Sequence, residues 1–210
     1  MMNGPVLSNP AYRIETKRLI VRCYDPSDAQ MLAESVTESL EHLRPWMPWV
    51  HVEPEPLEEK VKRLKRFRGL FDLGQDFIYG IFNPDDTKLL GGTGLHTRLG
   101  QSELEIGYWI HRDYVNQGLV TESTAALIKV AFEIIQIHRI EIHCDPANTA
   151  SAAIPRKLGF THEGTLRAKT PFLDVWSDSM IWGLLESEYP DSPSSTAEIR
   201  VFDASGQQVL

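Results

Sequence analysis

Two cysteines, Cys23 and Cys144, are all that 210 residues contain. Both fall inside apolar, alternating runs rather than loops, so no disulfide is expected and both read as reduced core residues. The seven histidines, His42, His51, His96, His111, His138, His143 and His162, show none of the short paired spacings that zinc or haem sites use, which argues against a metal. Positive charge is scarce as well. Against 29 Asp and Glu stand 21 Lys and Arg, a net charge of −8, which gives no footprint for nucleic acid and suits a cationic partner better. No window approaches eighteen apolar residues, and "MMNGPVLSNP" lacks a charged flank followed by an apolar stretch. Neither a membrane span nor a leader is expected, and the chain reads as cytoplasmic.

What is present is enough apolar residue, 42% of the chain, for the core of one domain. "KRLIVRCY" alternates Leu19, Val21 and Cys23 with polar neighbours, as a half-buried strand does, and "DPSDAQMLAESVTES" follows with capping residues and helical spacing. "LRPWMPWVHVEPEP" holds too much proline for a helix and reads as an ordered loop. "LEEKVKRLKRFRGLF" sets Leu57, Val61, Leu64, Phe67 and Phe71 on one helical face behind Pro56, with its Lys and Arg side chains as a solvated face.

Strands are expected at "DFIYGIF", "KLLGGTGL" and "SELEIGYWI", then a helix at "TESTAALIKVAFEII" and a strand at "HRIEIHCD". "NTASAAIPRKLGF" reads as a short helix capped by Asn148 and ended at Gly159, and "FTHEGTLRA" with "DVWSDSMIWGLL" as a closing antiparallel pair. Intermixed strands and helices predict an α/β (α+β) fold on a mixed, mostly antiparallel sheet. From about Glu188, "EYPDSPSSTAE" reads as a flexible linker to a small hairpin around Ala204, Ser205 and Gly206.

"HRDYVNQGLVTES" lies between a strand and a helix, where the first N–H groups of the helix lack partners and can meet an anion. Its single glycine is Gly118. With "GYWIHRDYVNQGLVTES" followed by "AFEIIQIHRIEIHCDPANTASAAIPRKLGFTHEGTLR", the chain resembles the GNAT acetyltransferases, in the branch of the RimJ- and RimL-like ribosomal-protein N-acetyltransferases. The early "ETKRLIVRCY" and "ESLEHLRPWMPW" are similar to that branch too. The likeness covers residues 12–187 as one domain and leaves 188–210 as a C-terminal linker and tail.

The resemblance implies a twisted sheet flanked by helices, whose splayed central strands hold acetyl-CoA, with no metal. It implies direct transfer of an acetyl group to a primary amine, a protein N-terminus of ribosomal-protein type. A small amine, polyamine or antibiotic is the alternative acceptor, and a GNAT-like module that binds acyl-CoA or peptide without turnover is the rival. The family's Q/R-x-x-G-x-G/A pyrophosphate loop falls on Val115, Asn116, Gln117, Gly118, Leu119 and Val120, with Thr121 next; only the central glycine matches. By the same likeness Asn148 contacts the pantetheine arm, and Ser151 lies near the departing thiol. Tyr108, Trp109, Ile110 and His111 fall on the splayed strand whose free backbone groups bind pantetheine.

Pro155 lies inside the short helix and removes the donor to the Ser151 carbonyl, so a kink is expected. Glu103 and Glu105 share one strand face, and a carboxylate under helices there would have a raised pKa. Glu105 is therefore the candidate base, acting through water; the glutamate that some relatives carry after "EGTLR" has no counterpart in "AKTPFL", so the resemblance itself carries over no base. Trp46 and Trp49 border the acceptor cleft by resemblance, with Glu38 and Glu41 as acids suited to an amine. Self-association as a homodimer is a further implication of the likeness.

Overall fold

The computed structural model describes residues 11–100, 102–172 and 175–210; "MMNGPVLSNP", read above for a leader, lies outside them. The strands are β1 (Arg13–Glu15), β2 (Ile20–Cys23), β3 (Phe77–Phe82), β4 (Leu89–His96), β5 (Glu103–Ile110), β6 (Arg139–Cys144), β7 (Thr161–Phe172), β8 (Val175–Leu185) and β9 (Arg200–Phe202). The helices are α1 (Ala29–Leu43), α2 (Leu57–Asp72), α3 (Leu119–Val130) and α4 (Thr149–Lys157). One sheet runs in the order β7-β8-β6-β5-β4-β3-β2-β1-β9. Every neighbouring pair is antiparallel except β5 with β6, which is the mixed sheet the sequence predicts.

Alternation along the strands sorts apolar side chains onto two faces. On one, Leu104 and Ile106 of β5 and Ile140 and Ile142 of β6 pack with Ala126, Leu127 and Val130 of α3. On the other, Ile20, Phe82 and Leu89 pack with Leu32 and Val36 of α1 and Leu64 of α2. Glu105, Gly107 and Trp109 therefore share the α1/α2 face, while Tyr108 and Ile110 share the α3/α4 face. Cys23 and Cys144 are free and buried.

Three local expectations change. Leu57 stays 46% exposed, whereas Lys60 goes inside. Its ammonium donates to both carboxylate oxygens of Glu53, at 2.6 and 2.7 Å, and a charge can be buried there because its partner is buried with it. The C-terminal end of α3 widens into a π-helical turn over Ala131–Ile135. The segment read as a flexible linker forms two 3-10 turns, Tyr189–Asp191 and Pro193–Thr196. Tyr189 stacks on Phe132 at 4.9 Å and donates to Glu133 at 2.5 Å, so buried aromatic surface overrides the Pro and Ser composition. β9 then pairs with β1 and turns back at Asp203 and Gln207, giving the expected hairpin as part of the main sheet.

The site is created where one pairing stops. β5 and β6 pair only at Glu103, Leu104 and Glu105, opposite Arg139, Ile140 and Glu141. Yet β5 stays with β4 as far as Ile110, and β6 stays with β8 as far as Cys144. Beyond Glu105 the two central strands diverge and leave a wedge between them.

Candidate active site

In an antiparallel ladder the N–H and C=O of one residue point to the same side, and successive residues alternate. The His111 N–H donates to the Leu90 carbonyl at 2.7 Å. His111 and Trp109 thus commit their backbone groups to β4, while those of Ile106, Tyr108 and Ile110 face the wedge. Of the four strand residues expected to offer backbone groups, Tyr108 and Ile110 are placed to do so; Trp109 and His111 are not. The buried His111 ring meets the Glu38 carboxylate through Nε2 at 2.9 Å and accepts the Asp113 N–H on Nδ1 at 3.1 Å. Glu38 is thereby engaged, Glu41 accepts from Arg44 at 2.7 Å, and neither is among the described residues lining the cleft. Their expected place beside the acceptor is not where the fold puts them.

After β5 a 3-10 turn, Arg112–Tyr114, leads to Asn116 and Gly118, both left-handed with φ of 59° and 76°. Gly118 is the N-cap of α3, and its carbonyl accepts the Glu122 N–H at 3.0 Å. The N–H groups of Leu119, Val120 and Thr121 consequently lack helical partners, at the positive end of the helix dipole. Such groups are what a pyrophosphate binds. Arg18, in the turn between β1 and β2, reaches this loop too, though no local motif marks it. Its Nη1 donates to the Gln117 carbonyl at 2.9 Å and its Nε to Glu122 at 2.6 Å, and its guanidinium lies 3.6 Å from where a Cβ on Gly118 would stand. A loop lacking the family's outer Arg or Gln has a cation beside it all the same.

The far end of the wedge is formed by α4. The Asn148 side chain accepts the Ser151 N–H at 3.0 Å, a cap as expected. Pro155 has no N–H for the carbonyl four residues back, and the Tyr108 hydroxyl supplies the missing bond, donating to the Ser151 carbonyl at 3.1 Å. The Ser151 hydroxyl in turn donates to Tyr108 Oη at 3.2 Å. Burial pushes the Tyr108 phenol well above its ordinary pKa, against a lowering from Ser151, so the phenol keeps its proton. Burial likewise pushes up the neighbouring Cys144 thiol. Tyr108, Cys144, Asn148 and Ser151 line a single cleft of about 1060 Å³.

That cleft continues to the α1/α2 side of the sheet, where Trp46, Met47 and Trp49 face Lys169, Thr170 and Ser177 of the β7–β8 hairpin. Both tryptophans stand in the wall, and Trp49 packs edge-on against Trp109 with ring centroids 6.0 Å apart. Glu105 is there too, in a state opposite to expectation. Burial opposes its charge, yet the hydrogen bonds and charge of Arg98, helped by His143 and His96, hold its carboxyl below the ordinary carboxylate range. Arg98 Nε donates to Oε2 at 2.7 Å. The buried carboxylate brought a guanidinium with it, and one so paired accepts a proton poorly. His143 sits between Glu141, 2.5 Å from its Nε2, and Glu105, 3.8 Å from its Nδ1. His96 faces Glu105 across the β4–β5 ladder and meets Asp76 through Nδ1 at 2.8 Å. No spacing announces His96 or Asp76 as site residues; the one signal is the nearly bare run Gly91, Gly92, Thr93 and Gly94 on the same strand.

A splayed parallel pair, a helix N-terminus with unpaired N–H groups and a hydroxyl at the closed end together fit the phosphates, arm and sulfur of coenzyme A. They define an acyltransferase that takes its acyl group from that carrier. The chain belongs to the family described as the acetyltransferase (GNAT) domain, whose model matches residues 18–161, and it is an acetyl-CoA-dependent N-acetyltransferase. It is similar to the [ribosomal protein uS5]-alanine N-acetyltransferase of Escherichia coli, 27% identical over 185 residues that cover 86% of this chain and 94% of the relative. It is also similar to an uncharacterized N-acetyltransferase, p20, of Bacillus licheniformis, 35% identical over 121 residues, 55% of this chain and 66% of that one. Among solved structures, RimL, a ribosomal L7/L12 alpha-N-protein acetyltransferase in complex with coenzyme A, superposes with a TM-score of 0.74 at 23% identity. The match covers 81% of this chain and 95% of RimL and concerns the fold.

Proposed function

We propose that the acceptor is the free N-terminal amine of a polypeptide, of ribosomal-protein type, met in the cytoplasm. The observation that carries this reading is the form of the cleft. One continuous trough of about 1060 Å³ runs from Ser151 to the space between the Trp46 loop and the β7–β8 hairpin, which suits an extended chain end more than an enclosed small amine. Support comes from the Escherichia coli relative, named for an alanine of a ribosomal protein. Among the described residues no helix is long and apolar enough to cross a membrane.

When bound, acetyl-CoA supplies the activated acetyl group. The N–H groups of Asn116, Gln117, Gly118, Leu119, Val120 and Thr121, with Arg18, hold its phosphates. Asn148 and the backbone of Tyr108 and Ile110 hold its arm, and the Ser151 hydroxyl turns its single hydrogen from Tyr108 to the departing sulfur. Trp46 and Trp49 flank the acceptor chain. Cys144, kept protonated by burial, takes no covalent part, so the transfer is direct and rests on position and electrostatics.

The test is thiol release from acetyl-CoA with free peptides beginning in Ala or Ser, the same peptides blocked at the N-terminus, a polyamine and an aminoglycoside. A kcat/KM for free peptides at least about tenfold above every other amine supports the proposal. A preference for the polyamine or aminoglycoside replaces it with a small-molecule acceptor.

A further inference from the structure

Glycine at two facing positions makes room for one imidazole. Gly94 of β4 and Gly107 of β5 are cross-strand partners, next to the pair His96 and Glu105. A Cβ on Gly94 would stand 2.8 Å from both Cε1 and Nε2 of His96, and one on Gly107 would stand 3.4 Å from Nε2. The ring therefore lies back along the strand, over a floor that side chains at 94 and 107 would fill. Its Nε2 comes to rest above Gly107, two residues past the point where β5 and β6 part. The ring lies on the α1/α2 face, in the wall of the trough that also holds Trp49 and Trp109.

The other ring nitrogen fixes the orientation. Nδ1 is 2.8 Å from Asp76 Oδ1, and a carboxylate there accepts the Nδ1 hydrogen, which leaves the lone pair of the neutral imidazole on Nε2. Asp76 is itself held, its N–H bonded to the Leu70 carbonyl, and Thr97, next to His96, donates to the Gln75 carbonyl at 2.6 Å. The basic groups nearest His96 on β5 and β6, Glu105 and His143, are occupied. Glu105 is taken by Arg98, and both nitrogens of His143 face carboxylates. Among the described residues, the charged groups around the His96–Glu105 pair are Asp76 before β3, Arg98 after β4 and His143 on β6.

We propose that Asp76 and His96 are the proton-accepting dyad of this enzyme, with His96 Nε2 receiving the proton that the attacking amine gives up. The inference rests on an amine acceptor in the trough. His96 takes an N–H proton as the bond from nitrogen to the acetyl carbon forms and the carbon–sulfur bond breaks, its electron pair leaving on sulfur. The imidazolium then returns its proton to solvent, and the sulfur, hydrogen-bonded by Ser151, is protonated from solvent. Base on the α1/α2 face and thiol hydroxyl on the α3/α4 face approach the same wedge from opposite sides of the sheet.

The test compares pH profiles of kcat/KM for wild type, His96→Gln, Asp76→Asn and Glu105→Gln, with a ring-nitrogen NMR spectrum of the histidines. His96→Gln should lower kcat/KM about 100-fold and abolish the acid limb of the profile, with the acetyl-CoA-induced rise in Tm unchanged. Asp76→Asn should lower kcat/KM about tenfold with the KM for acetyl-CoA unchanged, because Nδ1 loses the carboxylate that orients the ring, and Glu105→Gln should leave the acid limb in place. In the spectrum the neutral His96 ring should carry its hydrogen on Nδ1. His96→Gln with activity within about twofold of wild type overturns the dyad, and so does an acid limb lost in Glu105→Gln. A neutral ring protonated on Nε2 also overturns it, even in a protein that acetylates none of the amines, an outcome that would separately sink the acceptor assignment.

Discussion

Pro155 lies four residues after Ser151 in α4, and the carbonyl it leaves without a helical donor is the one to which Tyr108 donates at 3.1 Å. The strand is thereby fastened to the helix at the α4 end of the cleft, and the same phenol accepts the Ser151 hydroxyl at 3.2 Å. Tyr108→Phe leaves that carbonyl unpaired and should cost about 1–3 kcal/mol in urea unfolding. In a Pro155→Ala background the new N–H can serve the carbonyl, so the same change should cost at least about 0.5 kcal/mol less. Tyr108→Phe should also lower kcat about tenfold while the KM for acetyl-CoA stays within about twofold. Strict additivity of the two substitutions would mean that the proline and the tyrosine are unrelated.

Arg18 places a guanidinium beside the Gly118 loop, whose residues Val115 to Val120 include no cation. Removing it takes a guanidinium from beside Gly118 and also releases Gln117 and Glu122. Arg18→Ala should weaken acetyl-CoA binding about 5- to 10-fold, measured by titration calorimetry, with kcat nearly unchanged. The wild-type advantage should shrink as salt is raised, since the Arg18 side chain is 46% exposed and open to screening. An affinity that Arg18→Ala leaves untouched would show that the loop N–H groups hold the phosphates alone.

These two cases mark where sequence reading stops. Period and capping locate the strands, the Asn148 cap and the Gly118 turn, because each is a local property of a few neighbouring residues. Arg18 reaches Gln117 across 99 positions of chain, and no window contains both. Trp109 and His111 alternate with Tyr108 and Ile110 along β5 and the residue just past it, but only the register against β4 decides which pair turns its backbone to the wedge. Lys60 and Glu105 carry the same lesson about charge. Their burial depends on Glu53 and Arg98, partners that the fold brings to them, and neither burial nor the direction of a pKa follows from residue type alone. A lone histidine at a strand end, such as His96, signals nothing until Asp76 and two glycines are seen around it.

The pairing of Glu105 with Arg98 also predicts how stability responds to acid. Its carboxyl is held below the ordinary value of 4.5 in the folded protein, so it contributes stability above pH 4.5 that is lost as pH falls through the folded value. Glu105→Gln cannot titrate at this position. The stability gap between wild type and Glu105→Gln, followed as the urea midpoint from pH 7 to pH 3, should be widest near neutrality and narrow below about pH 4.5. A gap that widens in acid would mean that burial, not Arg98, controls the group.

The C-terminal residues provide the last prediction, because they close the edge of the sheet that carries Arg18. β9 covers β1, Val201 is fully buried, and Arg200 pairs with Glu15. Ending the chain after Ala197 removes these contacts and bares the N–H and C=O groups of β1. Loss of the Val201 side chain alone represents about 1.5–3 kcal/mol, and for a chain of this size each kcal/mol lowers Tm by about 2–4 °C, so a fall on the order of 5–10 °C is expected. The bared edge should pair with other copies, raising the solution mass with concentration. A looser β1 also loosens the β1–β2 turn, so the acetyl-CoA-induced rise in Tm should shrink along with it. A tail that is merely appended would leave Tm, mass and the coenzyme response unchanged, whereas a tail that holds β1 in place changes all three together.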